Sequence, residues 1–407
     1  MGEGVLGGLF GGYVSWSKFK GTPNDDWIDR LNHLWTVFLL ALFAIFVSTS
    51  QFVGNPIYCW APAEFKDHWV DYTKSICWVS NTYYIPMKEV IPVHIPERTE
   101  QELQYYQWVP IILLFMALMF KFPNVLWNIF NDGSGVNVDK VVVLAEATQM
   151  GSPEDREKCI KHIAIYMDRW LETNRETKYN VVVRVRQRLT KYCMFFCAKK
   201  DGTYLTGFYM FIKLLFCVNV IGQFFLLNAF LAMEYNLYGA EVINYLSEKG
   251  NLRESPRFPR VTLCDFQIRQ LQNLLRYTVQ CVLPINLFNE KIFAFFWFWL
   301  VLVATVTIAS FIFWLWRVFF LQNKNRYCKR YLKLLDLIQT GEDKKLCMNF
   351  ANHYLRDDGI FVLRLVTKNS TDLVTADLLA HLWKIYKDKP YNRSRLPEDD
   401  EKEALMR

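Results

Sequence analysis

Four long apolar stretches constrain the fold of this chain more than any other feature. Ile292–Trp316 and Leu214–Met233 contain no ionisable side chain. Leu31–Ser50 contains one histidine near its start, and Trp108–Phe130 is interrupted by Lys121. A bilayer core about 30 Å thick is crossed by roughly 20 residues of helix. The sequence therefore predicts a protein that crosses a membrane four times.

The composition fits a membrane protein with sizeable aqueous parts. Apolar residues make up 52% of the chain, while charged residues still reach 21%. A chain that is rich in both apolar and charged residues must keep them in separate segments, as a membrane protein with aqueous domains does. The net charge of +7 is also unevenly distributed, and its distribution indicates how the chain is oriented.

Basic residues are concentrated between the second and third apolar stretches. Residues 131–207 contain thirteen Lys and Arg residues, whereas residues 51–107 contain four, against seven acidic residues. Basic residues next to membrane spans stay on the cytoplasmic side. We therefore expect a plasma-membrane protein with both termini and residues 131–207 in the cytoplasm, and with residues 51–107 and 234–290 outside. The basic runs are interpreted as juxtamembrane segments that face the lipid bilayer, and no nucleic-acid partner is expected.

Four cysteines lie in the two predicted extracellular loops. Cys59 and Cys77 belong to the first loop, and Cys264 and Cys281 belong to the second. Because the extracellular side is oxidising, we expect these residues to form disulfides. Four cysteines allow three pairings, and their positions alone do not choose among them. An ordinary disulfide-stiffened ectodomain also accounts for them, whereas the absence of a close C-x-x-C spacing disfavours a metal site.

These observations predict an all-α membrane protein with four transmembrane helices, two disulfide-linked extracellular loops and a helical cytoplasmic domain. Tyr331–Ile338 and Asp372–Tyr386 repeat their apolar residues with helical periodicity, so the C-terminal segment is assigned to that domain. The predicted boundaries are a cytoplasmic N-terminal segment 1–29, transmembrane helices 30–50, 108–130, 208–233 and 291–317, extracellular loops 51–107 and 234–290, a cytoplasmic loop 131–207, and a cytoplasmic helical tail 318–407.

The chain lacks several common motifs of enzyme active sites. Its six histidines are scattered, and it contains no H-E-x-x-H, G-x-S-x-G or P-loop. The glycine pattern Gly2–Gly7 follows no predicted strand, so it does not indicate a dinucleotide site. We expect neither enzymatic activity nor a cofactor. The glycine-rich N-terminus is flexible enough to line or plug a channel mouth, although a disordered terminus has the same composition.

A short segment before the second apolar stretch resembles a known family. Tyr105-Tyr106-Gln107-Trp108-Val109 is similar to the YYQWV signature of innexins, at the entrance to their second span. Lys121–Trp127 resembles their proline-bearing second helix, and Asp358–Arg364 and Asp372–Trp383 resemble their final helical region. Connexins share the four-span layout but have three cysteines in each outer loop, whereas this chain has two. The resemblance is strongest to a nematode innexin.

The resemblance implies a gap-junction channel subunit. Copies of the chain would form a ring, with eight subunits favoured, and would dock with a ring on the neighbouring cell to pass ions and small molecules. It also implies the pairing Cys59–Cys281 and Cys77–Cys264. An N-terminal segment that includes Met1, Gly2 and Glu3 would fold into the pore mouth. Asp25 and Asp26 would then form a negative ring that favours cations.

Two other functions remain open at the level of sequence. One is an unpaired large-pore channel that releases small metabolites. The other is a four-span adhesion or scaffold protein, although the long basic loop 131–207 argues against that class, whose inner loops are short.

Overall fold

The computed structural model describes residues 25–150, 152–174, 202–230, 257–319, 321–339 and 341–389. The chain divides into two compact units. The loop unit consists of Trp35–Lys121 and Val218–Thr305. The helical unit consists of Met1–Leu34, Phe122–Cys217 and Val306–Arg407. Each unit therefore joins segments that are far apart in the sequence.

The described part of the chain is mostly helical, as the sequence predicted. In chain order its helices and strands are α1 Trp27–Phe52, β1 Tyr58–Trp60, α2 Asp67–Val79, β2 Thr82–Tyr83, α3 Ile95–Thr99, β3 Glu102–Leu103, α4 Val109–Asn131, α5 Val138–Ala147, α6 Pro153–Thr173, α7 Tyr204–Phe230, β4 Val261–Gln270, β5 Asn273–Val282, α8 Pro284–Phe319, α9 Leu321–Leu334, α10 Gly341–Asn349, α11 Arg356–Asn369 and α12 Asp372–Asp388.

Four of these helices are long and apolar enough to cross a membrane, which agrees with the four predicted spans. Within the described ranges they are α1, α4, α7 and α8. The helices extend beyond the apolar stretches, since α8 begins at Pro284 rather than at residue 291. Backbone hydrogen bonds continue a helix into water, whereas hydropathy marks only the part that lipid surrounds. The membrane boundaries therefore stay predictions.

The loop unit contains a five-stranded antiparallel sheet in the order β1-β5-β4-β2-β3. Strands β4 and β5 form a hairpin in which Gln270 pairs with Asn273. Along β4, buried Thr262, Cys264 and Phe266 alternate with partly exposed residues, as expected for a strand with one covered face. The all-α prediction did not include this sheet, because the search for spans about 20 residues long does not register a period of two.

The core of the helical unit is rich in aromatic side chains. Trp127, Trp314 and Phe361 are buried, and the Tyr209 ring lies 4.9 Å from the Phe361 ring. Helix α11 is buried over almost its whole length, from Asp358 to Val366. A helix that is covered on all sides belongs to the interior of a folded domain. The C-terminal helices therefore form part of a packed core.

Candidate docking unit and buried charge cluster

Two disulfides connect the two predicted extracellular loops. Cys59 lies opposite Cys281 in the β1–β5 pair, with their Cα atoms 4.0 Å apart. Cys77 of α2 is bonded to Cys264 of β4, with a Cα–Cα distance of 5.7 Å. This is the pairing that the resemblance implied. Each bond joins one residue of the first loop to one of the second, so both loops belong to one covalently closed structure.

The two disulfides lie side by side in the core of the loop unit. The sulfur atoms of Cys59, Cys77 and Cys281 are all within 4.8 Å of one another. Metals bind cysteine as thiolate, and these sulfurs are already oxidised to disulfides. Tyr106 and Phe266 are buried in the same cluster. The four cysteines thus form a structural crosslink rather than a metal site.

The signature residues connect parts of the loop unit. Tyr106 is fully buried, its ring lies 5.0 Å from that of Trp78, and its carbonyl accepts a hydrogen bond of 2.8 Å from Gln51. Gln107 donates a hydrogen bond to the Trp78 carbonyl. The Tyr105 hydroxyl donates to the carbonyl of Arg257, at 2.8 Å. Burial raises the pKa of Tyr106 above its usual value, so the phenol stays neutral.

Trp108 and Val109 have different surroundings although they are neighbours in the signature. Trp108 is 56% exposed, whereas Val109 is fully buried at the first position of α4. An exposed tryptophan at the start of a membrane-spanning helix is typical of the interface between lipid and water. The signature therefore combines residues that connect segments of the loop unit with one exposed side chain typical of the membrane interface.

A second polar contact links the first loop to the hairpin. The Arg98 guanidinium lies 2.6 Å from the Asp265 carboxylate, which also accepts a hydrogen bond of 3.0 Å from the Tyr83 hydroxyl. The hydrogen bond to Asp265 raises the pKa of Arg98. Burial, together with the charge of Asp265, raises the pKa of Tyr83 to about 12. Both groups therefore keep the proton that this network needs at neutral pH.

The hairpin ends in an exposed leucine. Leu271 has a positive φ of 54° and is 95% exposed. Trp60 and Val90 of the first loop are also largely exposed. Apolar side chains with this exposure on a stiffened unit indicate an interaction surface.

The helical unit contains a group of titratable side chains, which we call the charge cluster: Asp25, Asp26, Asp29, His33, Lys213 and Lys368. The first five are buried, whereas Lys368 is exposed. Lys213 is fully buried, and its ammonium lies 2.7 Å from the carboxylate of Asp29 and 3.4 Å from that of Asp26. The Asp29 carboxylate also accepts a 2.6 Å hydrogen bond from the Tyr209 hydroxyl. Buried charges persist only when they are paired and hydrogen-bonded, and these contacts meet that requirement.

Asp26 connects the charge cluster to α8 and α11. It accepts a 2.6 Å hydrogen bond from the indole of Trp314 and forms an ion pair with Lys368 of α11. Burial by itself would raise the pKa of Asp26, but Lys213 and Lys368 bring it below its usual value. Burial lowers the pKa of Lys368, although Asp26 opposes this effect. The short chain segment before α1 is thus joined to α7, α8 and α11.

The remaining contacts of the charge cluster involve Asp25 and the end of α11. The Asp25 carboxylate lies 2.5 Å from the His33 ring nitrogen Nε2. Arg30 donates a 2.6 Å hydrogen bond to the side-chain oxygen of Asn369. The segment from Asp25 to His33 is therefore fixed at several points along its length.

This arrangement argues against the predicted negative ring. Asp25 and Asp26 are 2% and 3% exposed, and both carboxylates contact partners within the same subunit. A carboxylate that is buried against partners in its own subunit does not present its charge to passing ions. Met1, Gly2 and Glu3, the other predicted pore residues, lie outside the described residues.

Lys213 and Lys368 were not among the site residues predicted from the sequence. Lys213 lies inside the predicted transmembrane helix 208–233, directly before the apolar stretch Leu214–Met233, but no role was predicted for it. The structure places it inside α7, where an ionisable residue indicates a partner in the bundle. The sequence around Lys368 does not distinguish it from other lysines of the C-terminal segment, so its ion pair could not be predicted.

Comparison with known proteins decides the identity of the chain. The sequence model of the innexin family matches residues 25–386. The chain belongs to the innexin family. Innexin unc-9 of Caenorhabditis elegans is 38% identical over 365 residues, which cover 90% of this chain and 93% of that protein. Innexin-19 of Caenorhabditis briggsae is 34% identical over 408 residues, covering 94% and 91%. Innexin-3 of Caenorhabditis elegans is 36% identical over 366 residues, covering 90% and 84%.

Membership in this family gives the chain its general role. Innexins form oligomeric gap-junction channels, and the family is one of channel proteins rather than enzymes. The four apolar helices agree with a multi-pass membrane protein of gap junctions. The two disulfides are consistent with the family as well. This innexin is accordingly a gap-junction channel subunit.

Proposed function

We propose that this innexin forms rings of eight subunits, which dock with rings on a neighbouring cell and pass ions and small molecules. In this arrangement both termini are cytoplasmic, and residues 51–107 and 234–290 are extracellular. The observation that carries the docking role is the pair of disulfides between the two loops. Surfaces that meet across an extracellular gap bind better when they are ordered beforehand, because ordering loops on contact costs free energy.

The tip of the β4–β5 hairpin contains a candidate contact residue of the docking surface. A two-residue hairpin turn with a positive φ at its first position favours glycine there. Leu271 occupies that position with its side chain almost fully exposed. Strained backbone conformations of this kind cluster at functional sites. We assign Leu271 to the contact with the opposing ring, where a partner surface would cover the side chain.

The N-terminal segment is assigned to the pore mouth. In this proposal Met1, Gly2 and Glu3 lie along the conduction path. We assign Asp25 and Asp26 a structural role in addition: Asp26 holds the end of this segment through Lys213 and Lys368, and Asp25 holds it through His33. The charge cluster would then set where the pore-lining segment begins.

Paired-cell recording tests the docking proposal. Cells that express only this protein should carry junctional current. Leu271→Asn removes the apolar side chain, and asparagine tolerates a positive φ, so folding and surface expression should be preserved. Junctional conductance should fall about tenfold or more if Leu271 is a central contact. Leu334→Asn, at an exposed leucine of the helical unit, is the matched control and should leave the conductance unchanged.

The same recordings separate the other functions. Dye uptake by single cells without junctional current would favour an unpaired large-pore channel and exclude docking. Surface expression without any conductance would favour an adhesion or scaffold role. An unchanged junctional conductance in Leu271→Asn would remove the hairpin tip from the docking contact. Projection images of purified particles would count the subunits and show whether rings are paired.

A further inference from the structure

A small cavity lies in the helical unit near the C-terminal end of α8. Helices α7, α8, α9 and α11 each contribute to its wall. The polar residues that line it are Thr206, Arg317, Lys324, Asp357 and Arg364. Its volume of about 10 Å³ is close to that of one water-sized group, so it has room for a single oxygen atom of a larger ligand.

The cavity has an excess of positive charge. Lys324 forms an ion pair with Asp357, which neutralises one of the three cations in the wall. The positive charges of Arg317 and Arg364 are not neutralised by this ion pair. Within the described residues, neither guanidinium has a hydrogen bond or an ion pair with a carboxylate. Arg317 lies over the ring of Phe313 at 3.9 Å, and Arg364 lies over the ring of Tyr327 at 5.6 Å.

The missing partner is unusual because Arg364 is only 8% exposed. Arginine keeps its charge when buried, and a buried charge without a counter-ion is costly. Burial lowers the pKa of Arg364, and the nearby charge of Arg317 lowers it further; the Asp357 carboxylate, which is paired with Lys324, opposes this shift only in part. Two cations that face the same cavity would both gain from an anion between them.

The position of the cavity along α8 makes lipid headgroups one available source of an anion. Arg317 is the final ionisable residue of that apolar helix, and the adjacent Trp316 is 55% exposed. An exposed tryptophan beside a half-buried arginine at the end of a membrane-spanning helix marks the level of the lipid headgroups. Basic pockets between helices at this level bind anionic headgroups.

We propose that Arg317 and Arg364 form a binding site for a phosphate group, with one phosphate oxygen inside the cavity and the rest of the ligand outside. Guanidinium groups suit this ligand because their parallel N–H donors match two oxygens of a phosphate. The phosphate belongs either to an anionic phospholipid or to a soluble phosphate ester. Because the site joins α8 to α11, an occupied site would stabilise the C-terminal helices against the end of the span.

A binding experiment with two arms tests this site. In the first arm, the wild-type protein is placed in phosphatidylcholine nanodiscs with or without phosphatidylinositol bisphosphate, and bound lipid is counted by native mass spectrometry. In the second arm, inositol trisphosphate is titrated against the protein in phosphatidylcholine alone. Binding in either arm supports the site, and the arm identifies the source of the phosphate. No binding in either arm overturns it.

Variants distinguish a specific site formed by the two arginines from nonspecific attraction to positive surface charge. Arg364→Gln and Arg317→Gln should each weaken binding about tenfold or more, because each removes charged donors from the phosphate. Arg326→Gln removes the same charge from an exposed position of α9 and should have little effect. Equal binding by Arg364→Gln and wild type, or equal weakening by Arg326→Gln, would overturn the proposal.

A measurement on the wild-type protein covers the case in which Arg364→Gln does not fold. Hydrogen exchange with and without the ligand should show slower exchange in α11 and at the C-terminal end of α8, with no change in α10. Unchanged exchange in α11 at saturating ligand would overturn the site. Both readouts measure binding rather than current, so they stand independently of the proposed docking function.

Discussion

The two units of this innexin connect distant segments of the chain by different chemistry. In the loop unit, disulfides join residues that are 222 and 187 positions apart. In the helical unit, Asp26 and Lys368 make a comparable long-range connection through an ion pair. The described cysteines of the helical unit, Cys159, Cys217, Cys328 and Cys347, are not bonded to one another.

The difference follows from the compartments in which the proposed topology places the connected segments. Extracellular loops are able to keep disulfides, which hold a docking surface in one conformation. Cytoplasmic segments are kept reduced, so their long-range connections are hydrogen bonds and ion pairs. Ion pairs depend on protonation, on nearby charges and on ligands, whereas a disulfide does not. In the proposed topology, the connection between Asp26 and Lys368 is therefore the one of the two that depends on its surroundings.

The strongest test of this comparison removes the central cation of the charge cluster. Lys213→Met leaves Asp26 and Asp29 buried without their shared partner, which should lower the free energy of unfolding by about 3–5 kcal/mol. Thermal unfolding in detergent measures the change. Lys329→Met, at an exposed position of α9, is the control and should change little. A loss below about 1 kcal/mol would show that the cluster is not a major connection of the helical unit.

Removal of a disulfide should have a somewhat smaller effect, confined to the loop unit. Cys59→Ser combined with Cys281→Ser should lower the free energy of unfolding by about 2–5 kcal/mol, because the reduced chain gains conformational freedom when unfolded. Limited proteolysis should then cut the loops faster, while the helical content stays the same. Cys159→Ser, which replaces a free cysteine, serves as the control. Unaltered proteolysis of the loops would mean that the sheet alone holds them.

The smallest expected effect is a pH dependence in the helical unit. Burial raises the pKa of Asp358 from 3.8 to about 6, and hydrogen bonds from Thr206 and Leu205 only partly oppose this. The folded state therefore binds more protons than the unfolded state between these values. Its stability should fall as pH rises through this range, by about 3 kcal/mol at most.

Asp358→Asn isolates this contribution. The asparagine oxygen retains the acceptor for the Thr206 amide and hydroxyl, each now 3.0 Å from the carboxylate. Unfolding curves of the variant and wild type should agree near pH 3.5 and separate by pH 7, with the variant more stable. Asp388→Asn, at an exposed site, should follow wild type throughout. Parallel curves for wild type and Asp358→Asn would contradict the titration of this carboxylate.

Part of the fold and of the site could be predicted from local patterns. The four spans follow from the length of each apolar stretch, and the positions of the cysteines place one pair in each loop. The order of the pairing needed the family resemblance, because spacing allowed three arrangements. The β4–β5 hairpin was missed because its alternating pattern lies in a loop assigned by its charge and length. The pore role of Asp25 and Asp26 stays a prediction, since a carboxylate beside a span suits either a pore or a buried ion pair, and only folding brings it to its partner.

The sequence by itself determined that the chain has four apolar stretches long enough to cross a membrane, and which cysteines lie in each predicted loop. Both are local properties, because apolar length and residue order do not depend on what packs nearby. Only the tertiary structure decided that Tyr106 is buried against Trp78. It also decided that Asp26 is paired with Lys213 and Lys368. In the same way, only folding brings Arg317 and Arg364 to one cavity. Whether a charge is exposed, paired or unpaired depends on segments hundreds of residues away, which meet it only after folding.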